Sequence, residues 1–176
     1  MTTTGENVSR QPQPFHSKNT TAPAFWSMDI LWTMLATSDQ TAGQYNVIEE
    51  LCPKDSGPPP HIHEWQDEAI YLIEGEITFL AGNQTIQAQA GSFVSIPRGT
   101  IHSFRVDSET ARILNFYAPA DLDRVIMMTG TPAQSRTLPP RGLTVQNDPQ
   151  RQQELSKRLL DLASQTFVDI PDTLRS

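Results

Sequence analysis

Three imidazoles and one carboxylate stand out as the groups in this chain able to do chemistry together. His61-Ile62-His63 has period-2 spacing, so on an extended backbone both rings project from the same face. Glu68 follows after a four-residue turn, residues 64–67, where the next strand begins. His102 lies far along the chain, just past Pro97-Arg98-Gly99-Thr100. Such a set suits one divalent transition ion, Ni, Fe, Mn, Co, Cu or Zn, with a position left for water or substrate. The His-x-His pair alone is a weak signal, because exposed strand histidines are common, and Glu68 alone reads as a solvated charge at a strand start. The meaning lies in the joint pattern, and a fold must bring His102 to the other three.

The segments that would do this are short strands. Residues 30–36 and 45–51 are apolar or mixed runs of strand length, separated by a polar turn at residues 38–43. Residues 55–60, Asp-Ser-Gly-Pro-Pro-Pro, form neither ladder nor helix, because proline lacks a donor and fixes φ. Residues 69–73, 77–81, 85–88, 92–96, 102–106 and 112–117 then read as strands. Turn residues divide them at Glu74-Gly75, Gly82-Asn83, Ala90-Gly91, Pro97-Arg98-Gly99 and Asp107-Ser108. Close, regular spacing of this kind predicts an all-β sandwich or barrel rather than alternating strands and helices.

The flanks differ. Residues 1–22 hold almost no apolar side chains and are expected to form a flexible N-terminal arm, since burial cannot offset their ordering entropy. Residues 23–120 are the expected barrel with the metal site. Residues 121–176 form a helical and Pro-rich extension packed on it. Within that extension Leu122, Val125 and Ile126 predict a short helix, with Asp121 as N-cap and Gly130 just past its end. Residues 131–147 read as an extended strap. Asp148-Pro149 opens a second helix with Leu155, Leu159 and Leu162 on one face and a Glu154–Arg158 pair.

Composition limits the partners. The 176 residues carry 20 acidic and 13 basic side chains, a net charge of −7, and the basic residues are scattered. No nucleic-acid footprint is therefore expected. No run approaches the roughly 20 apolar residues of a membrane helix, and no secretory leader is expected at the N-terminus. Cys52 is the lone cysteine, which excludes an internal disulfide and fits a cytoplasmic protein. It reads as a buried small hydrophobe. His16 reads as solvated and Met127-Met128 as helix packing. The apolar run 30–35 predicts a homodimer through the outer face of the first strands.

The glycines and prolines around the histidines make a resemblance specific. Pro58-Pro59-Pro60-His61-Ile62-His63, then Glu68, then Gly75, resembles the first motif of the cupins. Gly91, Pro97, Gly99 and His102, in the run GSFVSIPRGTIH, are similar to the second. The 15 residues between Gly75 and Gly91 resemble the short intermotif stretch of microbial single-barrel cupins. The likeness covers residues 30–120. It departs at two places: Asp55 stands where the first motif has a glycine, with Gly57 nearby, and Val106 stands where the second often ends in asparagine. The second change is expected to alter the pocket wall or the surroundings of the ligands, and so to bear on the substrate.

The resemblance implies a double-stranded β-helix, or jelly-roll barrel, with His61, His63, Glu68 and His102 as metal ligands. In layout the chain looks like the single-barrel quercetin (flavonol) 2,3-dioxygenase-like proteins. That likeness implies a small-molecule substrate, O2 as co-substrate, and Glu68 as general base through a free second carboxylate oxygen. A metal-dependent isomerase or lyase on a sugar or small acid, with Arg98 and Arg105 in reach of an anion, is the alternative, and a non-enzymatic binding cupin is another. Alternation puts Phe104 and Val106 on the face of His102, and Ile70 on that of Glu68. They read as ordinary core or as the wall facing a substrate. Tyr45 reads as a ligand donor or a core residue, and Trp65 as a cap on the barrel mouth or a cover over a seam.

Overall fold

A computed structural model describes residues 11–140, 149–163 and 165–168. Its elements follow the order β1 (Ala24–Ser27), β2 (Ile30–Ala36), β3 (Asn46–Pro53), β4 (His61–His63), β5 (Asp67–Glu74), β6 (Glu76–Ala81), β7 (Gln84–Gln89), β8 (Phe93–Ile96), β9 (His102–Val106) and β10 (Thr110–Ala118). The chain continues through α1 (Leu122–Thr129), β11 (Thr131–Pro132), α2 (Pro149–Ala163) and β12 (Gln165–Phe167).

Two antiparallel sheets face each other. One has the order β11-β1-β2-β3-β10-β5-β8 and the other β12-β4-β9-β6-β7. Inward alternation fills the space between them with Ile48, Ile70, Leu72, Ile77, Phe79, Val94, Ile96, Val106 and Ile113, all at most 5% exposed. The all-β jelly-roll expectation holds, and all eight predicted strands form, β2 and β9 with the predicted bounds.

The turn chemistry explains one of the two motif departures. Asp55, in place of the glycine, sits at φ +62, a left-handed conformation that aspartate tolerates better than most residues. Gly57 carries the steric demand instead: a Cβ there would lie 1.8 Å from the Phe104 carbonyl oxygen. The loop can therefore lie against β9, where Asp55 N–H donates to Val106 O (2.9 Å) and Val106 N–H to Ser56 O (3.0 Å).

The flanks are tied to the sheets. Ser17 Oγ donates to Leu35 O (2.6 Å), and Asn19 donates to the Glu49 carboxylate (3.3 Å), which also meets Arg112 at 2.6 Å. Thr131 and Pro132 pair with β1, and Trp26 Nε1 donates to Thr137 O (2.8 Å), so the first part of the expected strap lies along that strand. Residues 141–147 of the strap, and the capping Asp148, lie outside the described residues.

Helix α1 has the predicted extent, but Asp121 does not cap it; its carboxylate faces Arg124 at 3.6 Å. Asp123 anchors the helix instead, fully buried and accepting from the Ser38 backbone N–H (2.7 Å) and hydroxyl. In α2, Leu155 and Leu159 are buried and Leu162 half-buried, and the Glu154–Arg158 pair forms at 2.7 Å. Strand β12 was not anticipated. It adds to the edge of the second sheet, pairing with β4 in the register Gln165↔His63, Phe167↔His61.

The apolar run at residues 30–35 does not leave a free face. Ile30, Leu31, Trp32, Thr33 and Met34 are each 5% exposed or less within the one chain, so they offer no dimer surface. The exposed aromatics of the sheets lie elsewhere, at Tyr71 and Phe93, cross-strand partners on β5 and the edge strand β8, and at Phe167 on β12.

Candidate metal centre and cavity

The four sequence-predicted ligands converge. Strand β4 presents His61 and His63 inward, β9 sets His102 directly opposite His61, and β5 brings Glu68 across from the other sheet. All four are at most 4% exposed, and one ligand atom from each lies within 4.8 Å of the others. Glu68 Oε2 sits 2.9 Å from His102 Nε2 and 3.4 Å from His63 Nε2.

Main-chain carbonyls orient two of the rings. His61 Nδ1–H donates to Pro59 O (3.0 Å) and His102 Nδ1–H to Thr100 O (2.9 Å), so the Nε2 atoms turn inward. The proline run thus supplies the acceptor for the histidine that follows it.

His63 is the test of whether a metal fits. Both its ring nitrogens are buried without a hydrogen-bond partner, the 3.4 Å contact to Glu68 failing on geometry. Two unpaired nitrogens at 2% exposure would be costly, and an ion among the four residues would satisfy the inward one. For His61 the electrostatics agree. Burial, reinforced by His102, pushes His61 down to about 3, leaving the neutral imidazole that coordination requires. Burial would raise Glu68, but the hydrogen bond from His102 and the neighbouring imidazoles outweigh it and hold the carboxyl well below its usual range. Burial likewise opposes a proton on His102, but its bond to Glu68 raises it above the ordinary histidine value. The residues present fit a divalent ion.

One expectation about Glu68 is corrected. Its second oxygen is not free: Oε1 accepts from Asn115 Nδ2 (2.9 Å) and Tyr117 Oη (3.1 Å). Tyr117 stays a donor because burial, then the charges of Glu68 and Glu50, push its phenol well above 10.

A cavity of about 450 Å³ opens beside this cluster. Met28, Ile30, Trp32, Phe104, Leu122, Leu155, Leu159 and Phe167 give it an aromatic and aliphatic wall. Its polar groups include Glu50, Asp55, Glu68, His61, His102, Asn115 and Tyr117, and no Lys or Arg lines it among the described residues. Of the predicted wall residues the structure brings Phe104 to the cavity. Val106 and Ile70 face inward as expected but are core, 0% and 1% exposed, and do not line it. The asparagine-to-valine departure therefore changes packing rather than the wall. Tyr45 stands at the surface before β3 and Trp65 is 62% exposed, and neither is among the residues that line the cavity.

The basic residues considered for an anionic substrate are also elsewhere. Arg98 pairs with Asp67 (2.7 Å) and Arg105 with Asp107 (2.8 Å), both exposed. Sequence reading missed Glu50, Asn115 and Tyr117, although each is a polar residue at an inward phase of an otherwise apolar strand. It also missed the wall from β12.

Comparison with known proteins agrees with this fold. Residues 47–117 match the Cupin domain family. The chain is 30% identical over 111 residues to quercetin 2,3-dioxygenase of Bacillus subtilis (strain 168), covering 63% of this chain and 33% of that protein. It is 34% identical over 56 residues to an uncharacterized protein of Streptomyces coelicolor, covering 32% of this chain and 53% of that one. The chain thus spans a third to a half of the curated relatives it matches. A solved RmlC-like cupin from Shewanella frigidimarina superposes with a TM-score of 0.57 at 16% identity, over 65% of this chain and 99% of that one. At this identity the likeness is one of fold. The protein has a cupin β-barrel with a buried histidine–glutamate cluster suited to a metal.

Proposed function

We propose that the protein is a metal-dependent dioxygenase that opens a flavonol or a similar enol-bearing aromatic ring with O2. The observation that carries this reading is the cavity: aromatic and aliphatic, lined by no lysine or arginine among the described residues, and opening onto the four-residue cluster. Similarity to a quercetin 2,3-dioxygenase over the barrel supports it.

A divalent ion held by His61, His63, Glu68 and His102 would act as a Lewis acid towards the substrate's enol oxygen, making its proton easier to remove. Trp32 and Phe104 line the cavity with aromatic surface for a flat ligand, and Leu122, Leu155 and Leu159 would keep water from it. Asn115 and Tyr117 fix the Glu68 carboxylate by Oε1, leaving Oε2 as the oxygen that turns to the cluster. As base, Glu68 would accept the substrate proton on its carboxylate, with Asn115 and Tyr117 holding the group in position.

Of the isomerase or lyase reading on a sugar or small acid, the small-acid form lacks a cationic side chain on the wall among the described residues, since Arg98 and Arg105 are committed outside it. We also propose a homodimer, its surface the exposed Tyr71 and Phe93 at the β8 edge rather than the first strands.

Protein loaded in turn with Ni, Co, Mn, Fe and Cu is expected to consume O2 and release carbon monoxide from quercetin with at least one metal. No carbon monoxide with any of them would refute the dioxygenase reading. Quercetin binding without turnover would instead favour a binding protein.

A further inference from the structure

Glu50 is a buried carboxyl that the proposed chemistry does not use. It lies on β3 at 1% exposure and lines the cavity. It makes no hydrogen bond to any of the four clustered residues. Asn115 stands between, its Nδ2 lying 3.1 Å from Glu50 Oε1, 2.9 Å from Glu68 Oε1 and 2.7 Å from Tyr117 Oη. An amide nitrogen has two protons for these three oxygens, and Asn115 Oδ1 is itself buried without a partner. Glu50 Oε2 fares worse. Among the described residues its partner is the Cys52 thiol, a weak donor at 3.9 Å. A carboxyl this poorly satisfied is expensive in a protein interior unless something else in the cavity meets it.

We propose that Glu50 is a ligand-contacting acid, its carboxyl hydrogen-bonding an oxygen of the molecule bound in the cavity while Glu68 is committed to the metal. The proposal rests on the cavity being the ligand site and not on that ligand being a flavonol. It implies a substrate with a neutral oxygen function, carbonyl or hydroxyl, on an apolar body. Away from the metal, a carboxylate or phosphate would meet Glu50 and Asp55 with no Lys or Arg among the described residues to offset them. Burial, opposed by the Asn115 hydrogen bond and aided by the charge of Glu68, pushes the Glu50 carboxyl up to about 8. That direction favours the protonated form of Glu50, which can donate.

Dicyclohexylcarbodiimide, an apolar reagent that adds to protonated carboxyls, tests this directly. Peptide mass spectrometry of the full-length, metal-loaded protein should find the adduct on Glu50 and not on Glu68, and none at that position in Glu50→Gln. No adduct on Glu50 under conditions that label other carboxyls would overturn the proposal. Quercetin binding, read by quenching of Trp32 fluorescence, gives a second readout. Glu50→Leu should bind about tenfold more weakly, the scale of one lost hydrogen bond, while Glu50→Gln, which still donates, stays near wild type. Metal content should not change in either variant. Unchanged affinity in Glu50→Leu, or loss of metal from a folded Glu50→Gln, would overturn the assignment. If wild-type protein does not bind quercetin, the flavonol reading fails and the labelling still decides Glu50.

Discussion

The metal cluster and the cavity beside it are built by different parts of the chain. All four clustered residues fall within residues 47–117, the part that matches the cupin domain, on strands β4, β5 and β9. Much of the wall comes from outside it: Met28, Ile30 and Trp32 before, and Leu122, Leu155, Leu159 and Phe167 after. The chemistry is thus housed in the shared barrel, whereas the shape offered to a ligand is set largely by the flanks. The two should fail separately, one by losing metal and the other by losing ligand or stability.

The largest effect should come from the cluster. His63→Ala removes a ring whose nitrogens are orphaned without an ion, and metal content should fall at least about tenfold by elemental analysis. Glu68→Ala should do the same. Glu68→Gln is more informative, because its amide must face donors from both Asn115 and Tyr117 on one side or imidazole on the other. Turnover should fall about 10²–10⁴-fold, the range for a lost base, with part of the metal retained. Wild-type turnover in Glu68→Gln would contradict the role given to its charge.

Changes in the wall should spare the metal. Leu159, 1% exposed on α2, joins helix to barrel core, and Leu159→Ala should cost about 2–5 kcal/mol in denaturant unfolding. Metal stoichiometry should be unchanged. Loss of both together would show that cluster and wall are not separable.

This division also explains what could be read in advance. His61, His63, Glu68 and His102 were legible because short-range spacing and turn residues carry them. The wall was not, because β12 reaches β4 across about a hundred residues of sequence and Gln165–Phe167 is too short and polar to announce a strand. Glu50 was hidden differently. It reads as a surface charge beside Glu49, and only inward alternation with Ile48 and Cys52 marks it as buried. Tyr45 misled because the strand begins one residue later, at Asn46.

The smallest effect is expected at the surface. Arg98 donates to Asp67 from both its side chain and its backbone, holding that carboxyl down to about 2 from 3.8. A depressed acid stabilises the fold above its unfolded value and loses that contribution as pH falls from about 3.8 to about 2. Because the pair is half exposed, Asp67→Asn should lower the melting temperature at pH 7 by only about 1–2 °C, and the difference should vanish near pH 2.

The central claim is that the four residues together hold one ion. Titrating metal-free protein with Co(II), followed by its visible absorption, tests it most directly. The account predicts saturation at one equivalent in wild type, and no saturable band in His63→Ala or His102→Ala over the same range. Saturation at one equivalent in both variants, with an unaltered spectrum, would contradict it.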